Sequence, residues 1–172
     1  PDGTKVYFSA GAVSVEFYVA IGLDPVGNPR EVDPSKINEA DGKVDPEILV
    51  SGSIREFTVY QLAATRITGN FQNTVIITIP YQDTNQDGIV DGTNIGERTL
   101  RIYYLDEENS EWVLVGGVVD TQNNTVSAEV SRFSVYRLMA TSKTSESLDN
   151  VVVYPNPFKP NDGNDRTGTW SQ

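Results

Sequence analysis

Apolar residues return at every second position in stretch after stretch of this chain. Val15, Phe17, Val19 and Ile21 alternate with polar or small neighbours, as do Val75, Ile77, Ile79 and Tyr81, and then Leu100, Ile102 and Tyr104. A period of two places alternate side chains on opposite faces of an extended strand, so these segments read as half-buried strands. Further candidates are residues 5–10, 53–62, 111–116, 124–130 and 133–140, separated by turn-rich stretches such as 106–110 and 120–123. About nine or ten strands result, and the fold class expected is all-β, an antiparallel β-sandwich of immunoglobulin-like kind, either one large or two small, with little helix. A division near residues 63–74 is the expected place for a second sandwich to begin. The segment 24–48 breaks the pattern. It holds four of the nine prolines, three of them in the pairs Asp24-Pro25, Asp33-Pro34 and Asp45-Pro46, and proline gives up the ladder's N–H. It reads as a long loop with one short helical turn over residues 34–40, starting from Asp33. Its acids Asp33, Glu39, Asp41 and Asp45 read either as solvated charges or as ligands that hold the loop.

The 172 residues contain no Cys and no His. That excludes Ser-His and Cys-His nucleophilic pairs, thiolate redox centres and any zinc held by imidazole or thiolate. A carboxylate pair is the one arrangement left for catalysis, and no spacing among the 24 acids singles one out; the expectation is a protein that is not an enzyme. With 13 Lys and Arg the formal net charge is −11, so nucleic acid and anionic membrane surfaces would repel the chain. No apolar run approaches the ~20 residues of a bilayer-spanning helix, and membrane insertion is not expected. Acidity favours cations.

The sharpest local feature is Asp83-Thr-Asn85-Gln-Asp87-Gly88-Ile89-Val90-Asp91. Oxygen side chains stand at alternate positions and a glycine sits where the backbone must curl, which is most of a calcium loop. Asp83, Asn85, Asp87 and Asp91 are the expected side-chain ligands, with the carbonyl of Ile89. The twelfth position is Asn94 in place of a bidentate Glu, and Glu97 is the candidate for the missing carboxylate. Four acids within fifteen residues, with no base among them, would repel one another without a counter-ion. Ca2+ is therefore the expected cofactor, in a structural role, since the flanking segments read as strands and offer no helices to swing open. An Asx-rich hairpin that merely tolerates its acids is the alternative.

After Ala140 the composition turns polar over residues 141–150, a linker, and then Val151, Val152, Val153 and Tyr154 appear before a proline-rich tail. Residues 1–140 form the sandwich region, and 151–172 read as the first strand and tail of a truncated C-terminal domain, or as an exchanged strand. Too few residues follow for an independent core, so residues 151–154 pair with this domain, with the missing remainder of their own, or with another chain. For glycan recognition the candidate aromatics are Trp112, Trp170, Tyr18, Tyr60, Tyr103 and Tyr104, with Trp112 expected to be packed.

Several short motifs occur together. Asp2-Gly-Thr-Lys-Val6 followed by Ala10-Gly-Ala12 resembles the opening of the β-sandwich module shared by zonula occludens proteins, netrin receptors and ankyrins, with Ser9 where that family carries proline. Ile79-Pro-Tyr81, Glu97-Arg-Thr-Leu100-Arg-Ile-Tyr103, Glu111-Trp112, Asp120 with Asn123-Asn-Thr-Val126, and Arg132-Phe-Ser-Val-Tyr136 resemble the companion sandwich that follows it. Some members of that family cleave themselves at His-Phe-Ser; here Arg132 replaces the base and stays protonated, so cleavage before Ser134 is not expected. Val153-Tyr-Pro-Asn-Pro-Phe-Lys-Pro160 resembles the first strand of the immunoglobulin-like C-terminal domains of secreted bacterial proteins, including type IX sorting and hook-cap-like modules. The resemblance implies an extracellular or bacterial cell-surface location and a structural, assembly or adhesion role. The partners it implies are further copies of the chain, other surface proteins or polysaccharide.

Overall fold

The structure is a computed structural model that describes residues 2–141. Nine strands form two antiparallel sheets: β1 (Lys5–Phe8), β2 (Phe17–Gly22), β3 (Arg55–Gln61), β4 (Val75–Pro80), β5 (Leu100–Asp106), β6 (Glu111–Gly116), β7 (Val118–Asp120), β8 (Thr125–Val130) and β9 (Val135–Ala140). One sheet has the order β1-β4-β8-β7 and the other β2-β3-β9-β5-β6. Strands from both halves of the chain interleave in each sheet, and residues 63–74 carry the chain from β3 in one sheet to β4 in the other. All-β sandwich is the observed class, with helix among the described residues confined to α1 (Pro34–Asp41) and two short 3-10 turns.

The alternating residues meet between the sheets. Val75, Ile77 and Ile79 from one sheet and Phe57, Leu100, Ile102 and Leu138 from the other are buried in a single core that extends to Ala12, Val50 and Val126. Each such side chain contributes roughly 1.5–3 kcal/mol on leaving water. A cluster of Phe8, Phe71 and Phe133 closes one end, with edge-on ring contacts between 4.9 and 5.9 Å.

The segment read as a loop is more ordered than its prolines suggested. Asp33 accepts a hydrogen bond from Ser35 N at 2.9 Å and caps a helix with Pro34 in its first turn. Ile37 and Ala40, one turn apart, pack on Leu105, Val135 and Trp112, which lie on the outer face of the five-stranded sheet. Covered by the sandwich core on one side and by this second cluster on the other, β9 is buried at every residue. β3 pairs with β9 only at Arg55 and Glu56; beyond that point residues 49–53 take its place. Val50 N donates to Leu138 O, and the buried Ser53 hydroxyl accepts from Leu138 N.

Two local readings differ from the structure. The strand expected over residues 14–21 begins only at Phe17, and the stretch before it is bent. Val118–Asp120 form a strand that the sequence did not announce. It is three residues long, and it follows Gly116 and Gly117, whose positive φ of 106° and 123° turns the chain from one sheet into the other.

Candidate metal site

The loop between β4 and β5 starts at Tyr81, the last inward residue of its alternating run. Tyr81 N donates to Asn124 O at 2.9 Å, and the Asn124 side chain donates to Asp83 O at 3.0 Å, so the loop is tied to the turn before β8 at its first step. Asp83 then turns inward. Its carboxylate is 3% exposed and accepts from Asp87 N at 3.2 Å through one oxygen and from Gly88 N at 3.0 Å through the other. Asp87 accepts from Ile89 N at 2.8 Å and from the Asn85 amide at 2.8 Å. These bonds wind the backbone around Asp83. Gly88 has φ +83°, and a side chain added there would still find 3.9 Å to Glu97 Oε1; the glycine is required by the curl, not by lack of room.

The loop closes as a small hairpin. Val90 N donates to Ile95 O and Glu97 N to Gly88 O, which brackets the bridge between Ile89 and Gly96. That hairpin returns Glu97 to Asp83's end of the loop. Glu97 is 7% exposed, and its Oε2 accepts from the Tyr81 hydroxyl at 2.7 Å. Burial raises the Tyr81 phenol far above its ordinary value, helped by the bond to Glu97 and by the charges of Glu97, Asp83 and Asp120. The phenol is thus held as a permanent donor beside two buried carboxylates. Among the described residues, no ion pair reaches Asp83, Asp87, Asp91 or Glu97.

The expected ligands are therefore gathered in part. Asp83, Asn85 and Asp87 share one curl, and Glu97 leans over it from the hairpin. Asp91 is turned aside, accepting from Thr84 N at 3.1 Å and from the Thr84 hydroxyl. Among the described residues, no three acidic side chains converge closely enough to hold a metal ion between them. The donor chemistry nonetheless suits a hard cation: every candidate is an oxygen, and a carboxylate that accepts a single N–H on each oxygen keeps further lone pairs for a metal. Sequence reasoning missed Tyr81, Thr84 and Asn124 as supports of the loop. Only Asn124 had a local signal, a turn residue with φ +51°.

Other sequence candidates have structural occupations. Asp33 and Asp45 cap the helix and a 3-10 turn. Asp41 accepts from Arg137 and, at 2.7 Å, from the Trp112 indole, whose face lies 5.1 Å from the Arg137 guanidinium. Trp112 is packed as expected. Tyr18 and Tyr60 stack on each other with centroids 5.3 Å apart, which covers one face of each ring. The Ser134 hydroxyl donates to Leu105 O at 3.1 Å and is buried. Val151, Val152, Val153, Tyr154 and Trp170 lie outside the described residues.

The chain matches no family model, no curated protein and no solved structure.

Proposed function

We propose that this protein is a calcium-stabilised β-sandwich module of an extracellular bacterial surface protein, non-catalytic, and serving in surface architecture, assembly or adhesion. One observation carries the reading: Asp83 and Glu97 are buried around Tyr81 in a loop of oxygen donors, and among the described residues no cationic side chain pairs with them. Taking two carboxylates out of water costs several kcal/mol per ion unless a positive charge accompanies them. A divalent ion supplies that charge. Asp83, Asn85, Asp87 and Glu97 would hold it together with the Ile89 carbonyl, and Asp91 joins them on releasing Thr84. Bound there, the ion ties the hairpin after β4 to the start of β5, a task that disulfides perform in other secreted domains and that a chain without Cys cannot assign to them. The surface location rests on the motif resemblance, and on the fit between a loop lacking its twelfth-position Glu and the high calcium levels outside cells.

The test is thermal unfolding of the full chain in chelator and in calcium. At a free concentration about a hundred times the dissociation constant, a ligand adds ~2.7 kcal/mol, which for a chain of this size raises the midpoint by ~5–10 °C. Identical midpoints in calcium and in chelator would overturn the reading.

A further inference from the structure

Among the described residues, β6 and β7 are the last strands of their sheets on one flank of the sandwich. Among the described residues β7 pairs with Thr125–Ser127, and Ala128, Glu129 and Val130 have their strand neighbour in β4. Facing them in the other sheet is β6, the last strand in its order. Between these two edges runs a groove of about 1030 Å³, where Phe71, Tyr104, Val115, Val130 and Tyr136 are interspersed with polar residues such as Glu129 and Arg132. β6 carries few of the devices that keep an edge from pairing: Glu111–Gly116 contains neither Lys nor Pro, and Leu114 at its middle is 54% exposed. The flank has the form of a sandwich lacking one strand.

We propose that the missing strand is residues 151–154 of the same chain, docked in cis and antiparallel along the outer edge of β6. The path is set by where β9 ends. β6 and β9 both run antiparallel to β5, so they are parallel to each other, and Ala140 lies opposite Leu100, two residues past the level at which Ile102 pairs with Gly116. The chain leaves at the Gly116 end of β6, the end at which an antiparallel neighbour must begin. Reaching the lane outside β6 from β9 means crossing three strand spacings, ~14 Å. The nine residues from 142 to 150 span roughly 33 Å when extended, more than enough to turn back. Alternate side chains of Val151, Val152, Val153 and Tyr154 then enter the groove against Tyr104, Val115 and Tyr136, and main-chain bonds satisfy the β6 edge. Pro155 ends the pairing because it has no N–H to give.

The absence of cysteine gives a clean background for the test. In the full chain, Leu114→Cys is combined in turn with Val151→Cys, Val152→Cys, Val153→Cys and Tyr154→Cys and oxidised in dilute solution. Companion variants place the first thiol at Tyr18 on β2, the other edge of the same sheet. An intramolecular disulfide that forms at least about tenfold faster from Leu114 than from Tyr18, and best at alternate tail positions, supports the proposal. Equal rates, no bond, disulfide-linked dimers as the main product, or dimers from Leu114→Cys alone would each overturn it. As a second readout, Val152→Pro should speed hydrogen exchange of β6 amides about tenfold or more; unchanged exchange would also overturn it. The docking needs no calcium, so the midpoint shift in calcium, recorded on the same variants, separates failure here from failure of the calcium reading.

Discussion

Two long acidic excursions leave this sandwich, and they settle their buried carboxylates in opposite ways. In residues 24–48 the organising group comes from outside: Glu56 on β3, 2% exposed, accepts from Arg30 N, Glu31 N and Val32 N at 2.7, 2.6 and 2.9 Å. Of the other acids there, Asp33 and Asp45 form caps, and Asp41, Glu31 and Glu39 pair with Arg137, Arg66 and Lys43. In residues 82–97 the carboxylates come from the loop itself and accept fewer N–H groups each, and the stretch contains no Lys or Arg; Arg98, next to Glu97 in sequence, makes no ion pair with it among the described residues. The difference teaches what a cluster of acids requires. Three N–H groups or a guanidinium complete a carboxylate from within the protein; where neither is present, the proposed calcium would bring the missing charge from solution.

The comparison breaks most visibly at Glu56. Glu56→Ala leaves the N–H of buried Val32 and two part-buried N–H groups, of Arg30 and Glu31, without an acceptor; at ~1–3 kcal/mol for a buried group and less for the other two, urea unfolding should register a loss of about 4 kcal/mol. Calcium should restore none of it. A loss under ~1 kcal/mol would mean that residues 24–48 hold their shape without this anchor.

Asp41 comes next. Arg137 is 7% exposed and its carboxylate partner sits on α1, so Asp41→Ala strands a buried cation and removes the acceptor of the Trp112 indole at one stroke. Loss of one partner of such a pair costs ~3–5 kcal/mol, with the lower end expected because Asp41 itself is partly solvated. The unfolding midpoint in urea should fall accordingly and the tryptophan emission should shift. A full Asp41→Asn rescue of stability would show that the hydrogen bond matters there and the charge does not.

Glu97→Gln sharpens the contrast in the other direction. Among the described residues this buried carboxylate has no cationic partner, so in chelator the neutral amide should leave the protein as stable as before, or more so, while still accepting from Tyr81. In calcium the parent should gain ~2.7 kcal/mol at hundred-fold excess and the variant less than half of that. Titration calorimetry on both checks it: equal calcium affinity would remove Glu97 from the ligand set.

How much of this could be read in advance follows from the range of each interaction. Eight strands were legible because period-two patterning is local, and β7 was not, because three residues after a double glycine carry no pattern. The calcium-like curl was visible as spacing within nine residues. Its supports were hidden, since Tyr81 and Glu97 are sixteen positions apart and Asn124 belongs to another turn. The anchors of the first excursion were more hidden still. Glu56 meets Val32 across twenty-four positions and Asp41 meets Arg137 across ninety-six, so acids that looked idle in the sequence were already committed in the fold. α1 fell between these cases: Asp33-Pro34 announced its start, but only Ile37 and Ala40 face inward, too few to show a stripe.

The smallest effect belongs to that start. Asp33 is exposed, and its carboxyl is held below the ordinary 3.8 chiefly by the hydrogen bonds it accepts from Ser35. A carboxylate whose folded value is depressed contributes in full above its unfolded value and loses that contribution as pH falls through the folded one. The cap should therefore be intact at neutral pH and fail only below about pH 4, first as faster amide exchange in Pro34–Asp41 while the sheets stay protected. Asp33→Ala should reproduce the same local fraying at pH 7 and abolish its further pH dependence. If Asp33→Ala instead loosened the β3–β9 pairing, the helix would be a keystone of the sandwich, and the first excursion would hold the sheet as much as Glu56 holds the excursion.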